Sequence, residues 1–381
     1  MQNQFELTDD QIAIQDMARK FTADAITPFA AEWDEKSHYP VDVWKAAGAL
    51  GFGAIYVSEE SGGTGLGRLE AALIMEAMAY GCPTTSAFIS IHNMSAWMLD
   101  AFGEAALKER YLADLVTMDK FASYCLTEPG SGSDAADLKT SARRDGNHFV
   151  LNGTKQFISG GGENDVYLVM VRTGEHKNRG ISCLLVEKDT TGLSFGTPER
   201  KLGWNASPTA QVIFEDARVP VANLIGAEGE GFRIAMAGLD GGRLNIGACS
   251  LGGAQRCLDE AVAYTKDRQQ FGQAIAEFQN TQFMLADMAT DLEASRALLY
   301  LAAGKVTANA PDKTRFAAMA KRLATDNGSK IVNDALQLFG GYGYLRDYPI
   351  ERFWRDLRVH SILEGTNQVM RMIVARELLR D

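Results

Sequence analysis

The chain lacks most of the features that would assign it quickly. Its five cysteines, Cys82, Cys125, Cys183, Cys249 and Cys257, include no Cys-x-x-Cys pair. An odd, scattered set suits buried thiols in a reducing compartment and argues against a disulfide framework. The five histidines are as dispersed, so zinc-ligand spacing is missing and no metal site is expected. Gly-x-Gly-x-x-Gly, Gly-x-x-x-x-Gly-Lys and Gly-x-Ser-x-Gly are all absent. A Rossmann dinucleotide site, a phosphate loop and a nucleophile elbow are therefore unsupported. No stretch approaches the ~18 uncharged apolar residues of a membrane span, so no membrane insertion is expected. The opening Met1-Gln2-Asn3-Gln4-Phe5-Glu6 has neither the basic start and apolar centre of a secretory signal nor the Arg-rich look of a transit peptide. A cytoplasmic protein is expected, or a mature chain already trimmed for the mitochondrial matrix. The formal charge of −11 is spread along the chain, which disfavours a nucleic-acid partner and mainly aids solubility.

What is present is a sequence of three textures. At 381 residues, two or three domains are expected. Residues 1–120 read as an all-helical segment. Thr8-Asp9-Asp10-Gln11 is a capping-box pattern ahead of Ile14, Met17, Ala18, Phe21 and Ala25 at helical spacing. Pro28 marks a bend, Gly62–Gly67 a loop, and Leu69–Tyr80 a helix stopping at Gly81-Cys82-Pro83. Residues 121–228 shift to β-branched runs: Val166–Val171, Ile181–Val186 and Gln211–Phe214. Asp145-Gly146 and Asn152-Gly153 carry hairpin-turn signals. No long helix separates these runs, so a small antiparallel barrel or sandwich is expected in place of a parallel sheet. Residues 229–381 return to long helices, over Leu251–Arg268, Gln279–Lys305, Lys313–Phe339 and Gln368–Leu379. Gln270–Gln273 breaks the first from the second. Such helices suggest a bundle.

Three motifs carry possible chemistry. Tyr124-Cys125-Leu126-Thr127-Glu128-Pro129-Gly130-Ser131-Gly132-Ser133-Asp134 offers free N–H and hydroxyl donors on a flexible backbone, as a cofactor would need, or as any solvated loop would show. Gln337-Leu338-Phe339-Gly340-Gly341-Tyr342-Gly343-Tyr344 ends a helix on paired glycines, either a close approach to a ligand or a plain glycine cap. Val359–Gln368 sets Glu364 after Ile362-Leu363 and before Gly365, at the mouth of a helix. An apolar pocket there would raise its pKa and make it a better base, although lone glutamates are mostly surface residues. His360, Arg243 and Arg268 have equally ordinary readings as packed or surface side chains.

Taken together, in this order and along the whole chain, the motifs resemble the acyl-CoA dehydrogenase family. The resemblance implies an N-terminal all-α domain, a middle antiparallel β-barrel domain and a C-terminal four-helix bundle. It implies α,β-dehydrogenation of an acyl-CoA, with FAD as cofactor and Glu364 as catalytic base. Glu364 would remove the α-proton while a hydride leaves Cβ for the flavin N5. The stretches Lys201–Asn205, Leu239–Arg243 and Arg358–Gly365 point to the branch acting on short branched acyl groups. Isobutyryl-CoA is the expected substrate, converted to methacrylyl-CoA as in valine degradation, with butyryl-CoA and 2-methylbutyryl-CoA as alternatives. A non-catalytic acyl-CoA-binding scaffold is the reading from another class.

Carried over residue by residue, the flavin would meet Tyr124, Cys125, Leu126, Thr127, Gly132, Ser133, Phe157, Ile158 and Ser159, completed by Thr366, Asn367 and Gln368. Phe157 stands where many members carry Trp. Arg268, Phe271, Phe278, Gln279, Gln337, Leu338, Phe339, Gly340 and Gly341 would hold the diphosphate and adenosine, partly across a subunit boundary. Ser133, Asp240, Gly241, Gly242, Arg243 and Arg376 would serve the substrate. In isovaleryl- and long-chain-type members the base directly precedes the arginine matching Arg243. Here Gly242 stands at that point and cannot take a proton, which leaves Glu364. The resemblance also implies an electron-transfer flavoprotein as oxidant and a homotetramer.

Overall fold

Thr8 caps α1 (Asp9–Phe21): its Oγ1 accepts from the Gln11 N–H, and Gln11 Oε1 accepts from the Thr8 N–H. This is the reciprocal pair that the spacing predicts. The computed structural model describes residues 7–379, so the Met1–Glu6 start lies outside them. A π-helical turn, Thr22–Ile26, precedes the bend at Pro28, followed by α2 (Ala30–Lys36) and α3 (Val41–Ala49). The glycine-rich loop leads into α4 (Arg68–Gly81). Pro83 then opens α5 (Pro83–Phe102) at the first helical position, where its missing N–H has no partner to lose. The first helical segment closes with α6 (Ala105–Val116).

Eight strands follow: β1 (Ala122–Cys125), β2 (Ser141–Asp145), β3 (His148–Ser159), β4 (Val166–Arg172), β5 (Ile181–Glu187), β6 (Leu193–Phe195), β7 (Thr209–Pro220) and β8 (Leu224–Ile225). Their order is β6-β7-β3-β2-β4-β5-β8, with β1 beside β4. Most pairings are antiparallel, but β1 and β2 both run parallel to β4. The β2–β3 hairpin supplies the long connection that a parallel β1–β4 pair requires. Asp145-Gly146 makes the predicted hairpin turn, with Asp145 opposite His148. Asn152-Gly153 does not turn the chain. It is a bulge inside β3, where the register to β7 slips between Leu151 and Gly153. Asn152 instead trades two hydrogen bonds with Asp216, and Gly153 has φ 143°. A Cβ there would stand 2.6 Å from Thr140 Oγ1, so the glycine serves a close approach.

The last segment comprises α7 (Gly231–Asp267), a two-residue ribbon at Gln269–Ala274, α8 (Gln279–Thr307), α9 (Lys313–Phe339), α10 (Ile350–Leu357) and α11 (Asn367–Leu378). α7 begins twenty residues before the Leu251 that the periodicity suggests (251 − 231). Glycines at 238, 241, 242, 247, 252 and 253 weaken the helical pattern in sequence, yet they are what lets α7 pack. A Cβ on Gly252 would lie 2.1 Å from the Glu76 carbonyl oxygen of α4. One on Gly247 would lie 2.4 Å from Leu299 Cδ1 of α8.

A single apolar cluster runs from Ala18 of α1 through α4 and α5 to α7, α8 and α9. The two helical segments that flank the sheet in sequence thus share one core. Leu168, Met170, Cys183 and Leu185 face a second cluster with α5 and α6, while Tyr167, Val169, Val171 and Leu184 face a third, the period-two alternation of strands. All five cysteines are free and buried, and burial pushes every one of their thiols upward. Among the described residues no helix is long and apolar enough to cross a membrane. No cluster of potential metal ligands occurs among them either.

Candidate active site

Glu364 lies between the 3-10 turn Arg358–Ser361 and α11, whose first N–H groups are capped by Thr366 Oγ1 accepting from Val369 at 3.2 Å. Glu364 has φ 55° and Gly365 φ 88°. Two successive left-handed residues reverse the chain sharply, and a non-glycine residue in that region is uncommon outside functional or strained positions.

Three helices close on this reversal. From α7, a Cβ on Gly242 would stand 2.8 Å from Glu364 Oε2 and 3.2 Å from Met94 Sδ of α5. Next to it, Arg243 donates from Nε to the Glu364 carbonyl at 3.4 Å and from Nη1 to Asp240 Oδ1 at 2.7 Å. The Thr314 hydroxyl donates to the other Asp240 oxygen at 2.8 Å. From α9, the fully buried Lys321 donates to the Gly365 carbonyl and to Asn367 Oδ1, each at 2.9 Å. Asn367 donates onward to Thr325 Oγ1 at 2.9 Å and Asp326 Oδ1 at 2.6 Å.

Glu364 as a whole is half-buried, but its Oε2 is enclosed and has no hydrogen-bond donor among the described residues. Burial pushes its carboxyl up to about 7, outweighing the downward pull of Arg243 and then Lys321. Burial likewise lowers Lys321 to about 8, with the Glu364 charge opposing. A carboxylate that titrates near neutrality and keeps one oxygen free is equipped to accept a proton. The Tyr124 hydroxyl is also buried and without a partner among the described residues. Its pKa is raised first by burial and second by the charge of Glu364. His360 is a packed residue: its Nδ1 is 2.7 Å from Ser250 Oγ, and burial lowers it to about 3, so it stays neutral.

The sequence-predicted cofactor residues separate into two groups. In the first, β1 carries Tyr124 and the buried Cys125, and the following loop is pinned at its base. There Lys155 donates to the Leu126 carbonyl at 3.1 Å and pairs with Glu128 at 2.8 Å. Thr127 accepts from the Gln156 N–H, while Gly132 and Ser133 stand exposed at the tip. A second register slip in β3, between Lys155 and Ile158, puts Phe157 at φ 59° and leaves it 64% exposed, with Ile158 buried and Ser159 accepting from the Ser123 hydroxyl. Thr366, Asn367 and Gln368 adjoin Glu364 at the start of α11.

The second group is elsewhere. Arg268, Leu338, Phe339, Gly340 and Gly341 line a surface cleft of about 360 Å³ together with Tyr264 and Tyr342. Cβ atoms on Gly340 and Gly341 would meet nothing within 4 Å, so backbone is open to an approaching ligand there. Arg268 lies 5.5 Å from the Tyr342 ring, and Phe271 is 94% exposed, edge-on to Phe278. Gln279 opens α8, and the exposed Gln337 adjoins the cleft through the Gly340 N–H that its carbonyl accepts. At helical rise, Tyr264 is about 33 Å along α7 from Gly242, and Phe339 about 27 Å along α9 from Lys321. The chain therefore does not bring its two sets of cofactor-type residues together. Of the substrate-side residues, Asp240, Gly241, Gly242 and Arg243 gather at Glu364. Arg376 is exposed on α11 beside Glu377 and is not among them.

Sequence reasoning missed Lys321, Tyr56 and Arg68. Arg68 opens α4, is buried, and stacks its guanidinium 3.5 Å above the Tyr56 ring. No local pattern marks any of the three, because each acts through contacts distant in sequence.

Known proteins resemble the chain over nearly its whole length. The N-terminal, middle and C-terminal domains of acyl-CoA dehydrogenase match residues 8–119, 123–217 and 229–379. The chain is 58% identical to the mitochondrial isobutyryl-CoA dehydrogenase of Dictyostelium discoideum, over 98% of this chain and 90% of that protein. It is 53% identical to the Bos taurus enzyme of the same name, over the same shares of each chain. Butyryl-CoA dehydrogenase from Megasphaera elsdenii superposes with a TM-score of 0.96 at 38% identity, over 99% of this chain and 100% of that one. The chain belongs to the acyl-CoA dehydrogenase family. It is accordingly a flavin-dependent oxidoreductase, with FAD as its cofactor, and the scaffold reading falls away.

Proposed function

We propose that this protein dehydrogenates a short branched-chain acyl-CoA, isobutyryl-CoA to methacrylyl-CoA, with Glu364 removing the α-proton. The observation that carries the reading is the enclosed, unpartnered Oε2 of Glu364 on a carboxyl pushed up to about 7. Identity to proteins named isobutyryl-CoA dehydrogenase supports the acyl group.

The residues present suit FAD. The buried, unpartnered Tyr124 hydroxyl lies within electrostatic reach of Glu364, and the open Gly132–Ser133 tip and the outward Phe157 offer donors and an aromatic surface. The Arg268 cleft, with two bare glycines, suits a diphosphate. Bound FAD supplies the two-electron acceptor that no protein side chain here can provide. The chain's own part is to bind the thioester, exclude water and hold the proton acceptor. Negative charge that develops on the thioester oxygen as Cα loses its proton needs preorganised donors, and the backbone N–H of Glu364 is proposed as one. Arg243, bonded to the Glu364 carbonyl, and Lys321, bonded to the next carbonyl, anchor the two peptides that follow that N–H.

The distance between the two cofactor-type groups supports a homo-oligomer, proposed as a tetramer, in which a second copy completes each site. An electron-transfer flavoprotein is the proposed oxidant, and the mitochondrial matrix or a bacterial cytoplasm the proposed location, within valine degradation. The decisive test is anaerobic titration of the FAD-loaded protein with isobutyryl-CoA, followed by its flavin absorbance. Bleaching supports the reading, and Glu364→Gln should bind ligand yet lose nearly all reduction. Reduction by butyryl-CoA alone would move the assignment to a straight-chain substrate.

A further inference from the structure

Arg68 is a buried cation with no ion pair among the described residues, and Asp240 acts on it only at longer range. Its backbone N–H is fixed to Thr307 Oγ1 at 2.9 Å, so the start of α4 is tied to the end of α8. The side chain then turns inward, 7% exposed, with Cζ 3.5 Å over the Tyr56 ring and 5.1 Å from the Trp97 ring. Its Nη1 is enclosed and finds no acceptor, and it forms no ion pair among the described residues. Burial of this kind is unfavourable, and the cation–π contact with Tyr56 offsets only part of it. A leucine would occupy similar space without that cost, which points to a role for the polar head.

Its position suggests which role. A Cβ on Gly241 would stand 2.2 Å from Arg68 Nη1 and 2.7 Å from Cζ, while one on the adjacent Gly242 would stand 2.8 Å from Glu364 Oε2. Guanidinium and carboxylate therefore border consecutive residues of α7. Tyr56 is held from the same helix by Asn245 Nδ2, 3.1 Å from its hydroxyl. An acyl chain that starts with its α-carbon at Glu364 and runs on past Gly242 toward Gly241 would meet the guanidinium after a few carbons.

On the acyl-CoA dehydrogenase reading above, we infer that Arg68, braced between Tyr56 and Trp97 against Gly241, is the specificity-determining wall that restricts this enzyme to short acyl groups. It acts in two ways. It fills volume, and it presents an unsatisfied N–H against which apolar carbons gain nothing by burial.

The test uses the full-length, FAD-loaded protein and the variants Arg68→Ala and Arg68→Gln. kcat/KM is measured with isobutyryl-CoA, butyryl-CoA and hexanoyl-CoA, alongside flavin content and thermal midpoint. Wild-type protein must first be reduced by a short acyl-CoA. If it is not, the functional reading itself has failed and Arg68 is not at issue. Given that, the hexanoyl-to-isobutyryl ratio should rise on the order of 10-fold or more in Arg68→Ala, the scale on which a pocket discriminates methylenes, and less in Arg68→Gln. Equal losses with all three substrates, leaving the ratio unchanged in whichever variant retains flavin, would make Arg68 a structural residue and overturn the inference.

Discussion

Gly242 and Glu364 are in contact without a side chain between them: a methyl group added to Gly242 would stand 2.8 Å from Oε2 of the carboxylate. At Gly242 the helix is bare backbone, and the carboxylate from the α11 entrance occupies the space. Gly242→Ala should therefore displace the carboxylate and lower kcat by roughly 10–100-fold, because errors near 1 Å are costly in proton transfer. Flavin content and thermal midpoint should change little, since α7 is already helical there. Near wild-type turnover would show that the carboxylate has room to move.

Lys321 is, after Arg243, the second cation that pulls the carboxyl of Glu364 downward against its burial. As the proposed base, Glu364 acts when ionised, so kcat/KM should rise with pH through about 7. Lys321 pulls that carboxyl downward, so in Lys321→Met the acid limb should move to higher pH. The variant should also lose about 1–3 kcal/mol of stability, because the Gly365 carbonyl and Asn367 lose a donor. A pH–rate profile with an unmoved acid limb would contradict the coupling.

The buried carboxyl of Glu364 costs stability when it is ionised. Glu364 is raised from 4.5 to about 7 by folding, so its contribution to stability is full below pH 4.5 and is lost as pH rises through 7. At pH 8 the penalty is worth roughly 3 kcal/mol. Glu364→Gln carries no such charge, so its thermal midpoint should exceed the wild-type value by more at pH 8 than at pH 5. An equal difference at both would deny that the buried charge is the cause.

Two further predictions are read from the thermal midpoint, without turnover. Gly252→Ala would press a Cβ to 2.1 Å from the Glu76 carbonyl oxygen, which is backbone and cannot rotate away. It should separate α4 from α7 at a cost of about 1–3 kcal/mol, read as a lower thermal midpoint. Removal of FAD should lower the midpoint of the wild-type protein, and adding it back should restore the midpoint in a concentration-dependent way.

The capping box at Thr8, the Asp145-Gly146 turn and the strands at 166 and 181 were legible because each is a local device. The motif singled out Glu364 as a candidate base, but not the burial that raises its carboxyl, which depends on α7 and α9. Asn152-Gly153 misled because a bulge and a turn ask for the same residues, and only pairing with β7 separates them. The early start of α7 was hidden because glycine lowers helix propensity while permitting close packing, and only the second effect depends on neighbours. Arg68 and Lys321 left no trace in sequence, since a buried cation is defined by what surrounds it.

The five cysteines have a practical consequence at the bench. Each is enclosed, and each thiol is held in its protonated form above its ordinary range. Thiolate is the nucleophile, so the native protein should resist maleimides and iodoacetamide. A single cysteine engineered onto an exposed position would then be the one site to accept a fluorophore or spin label, with no native thiol needing removal first.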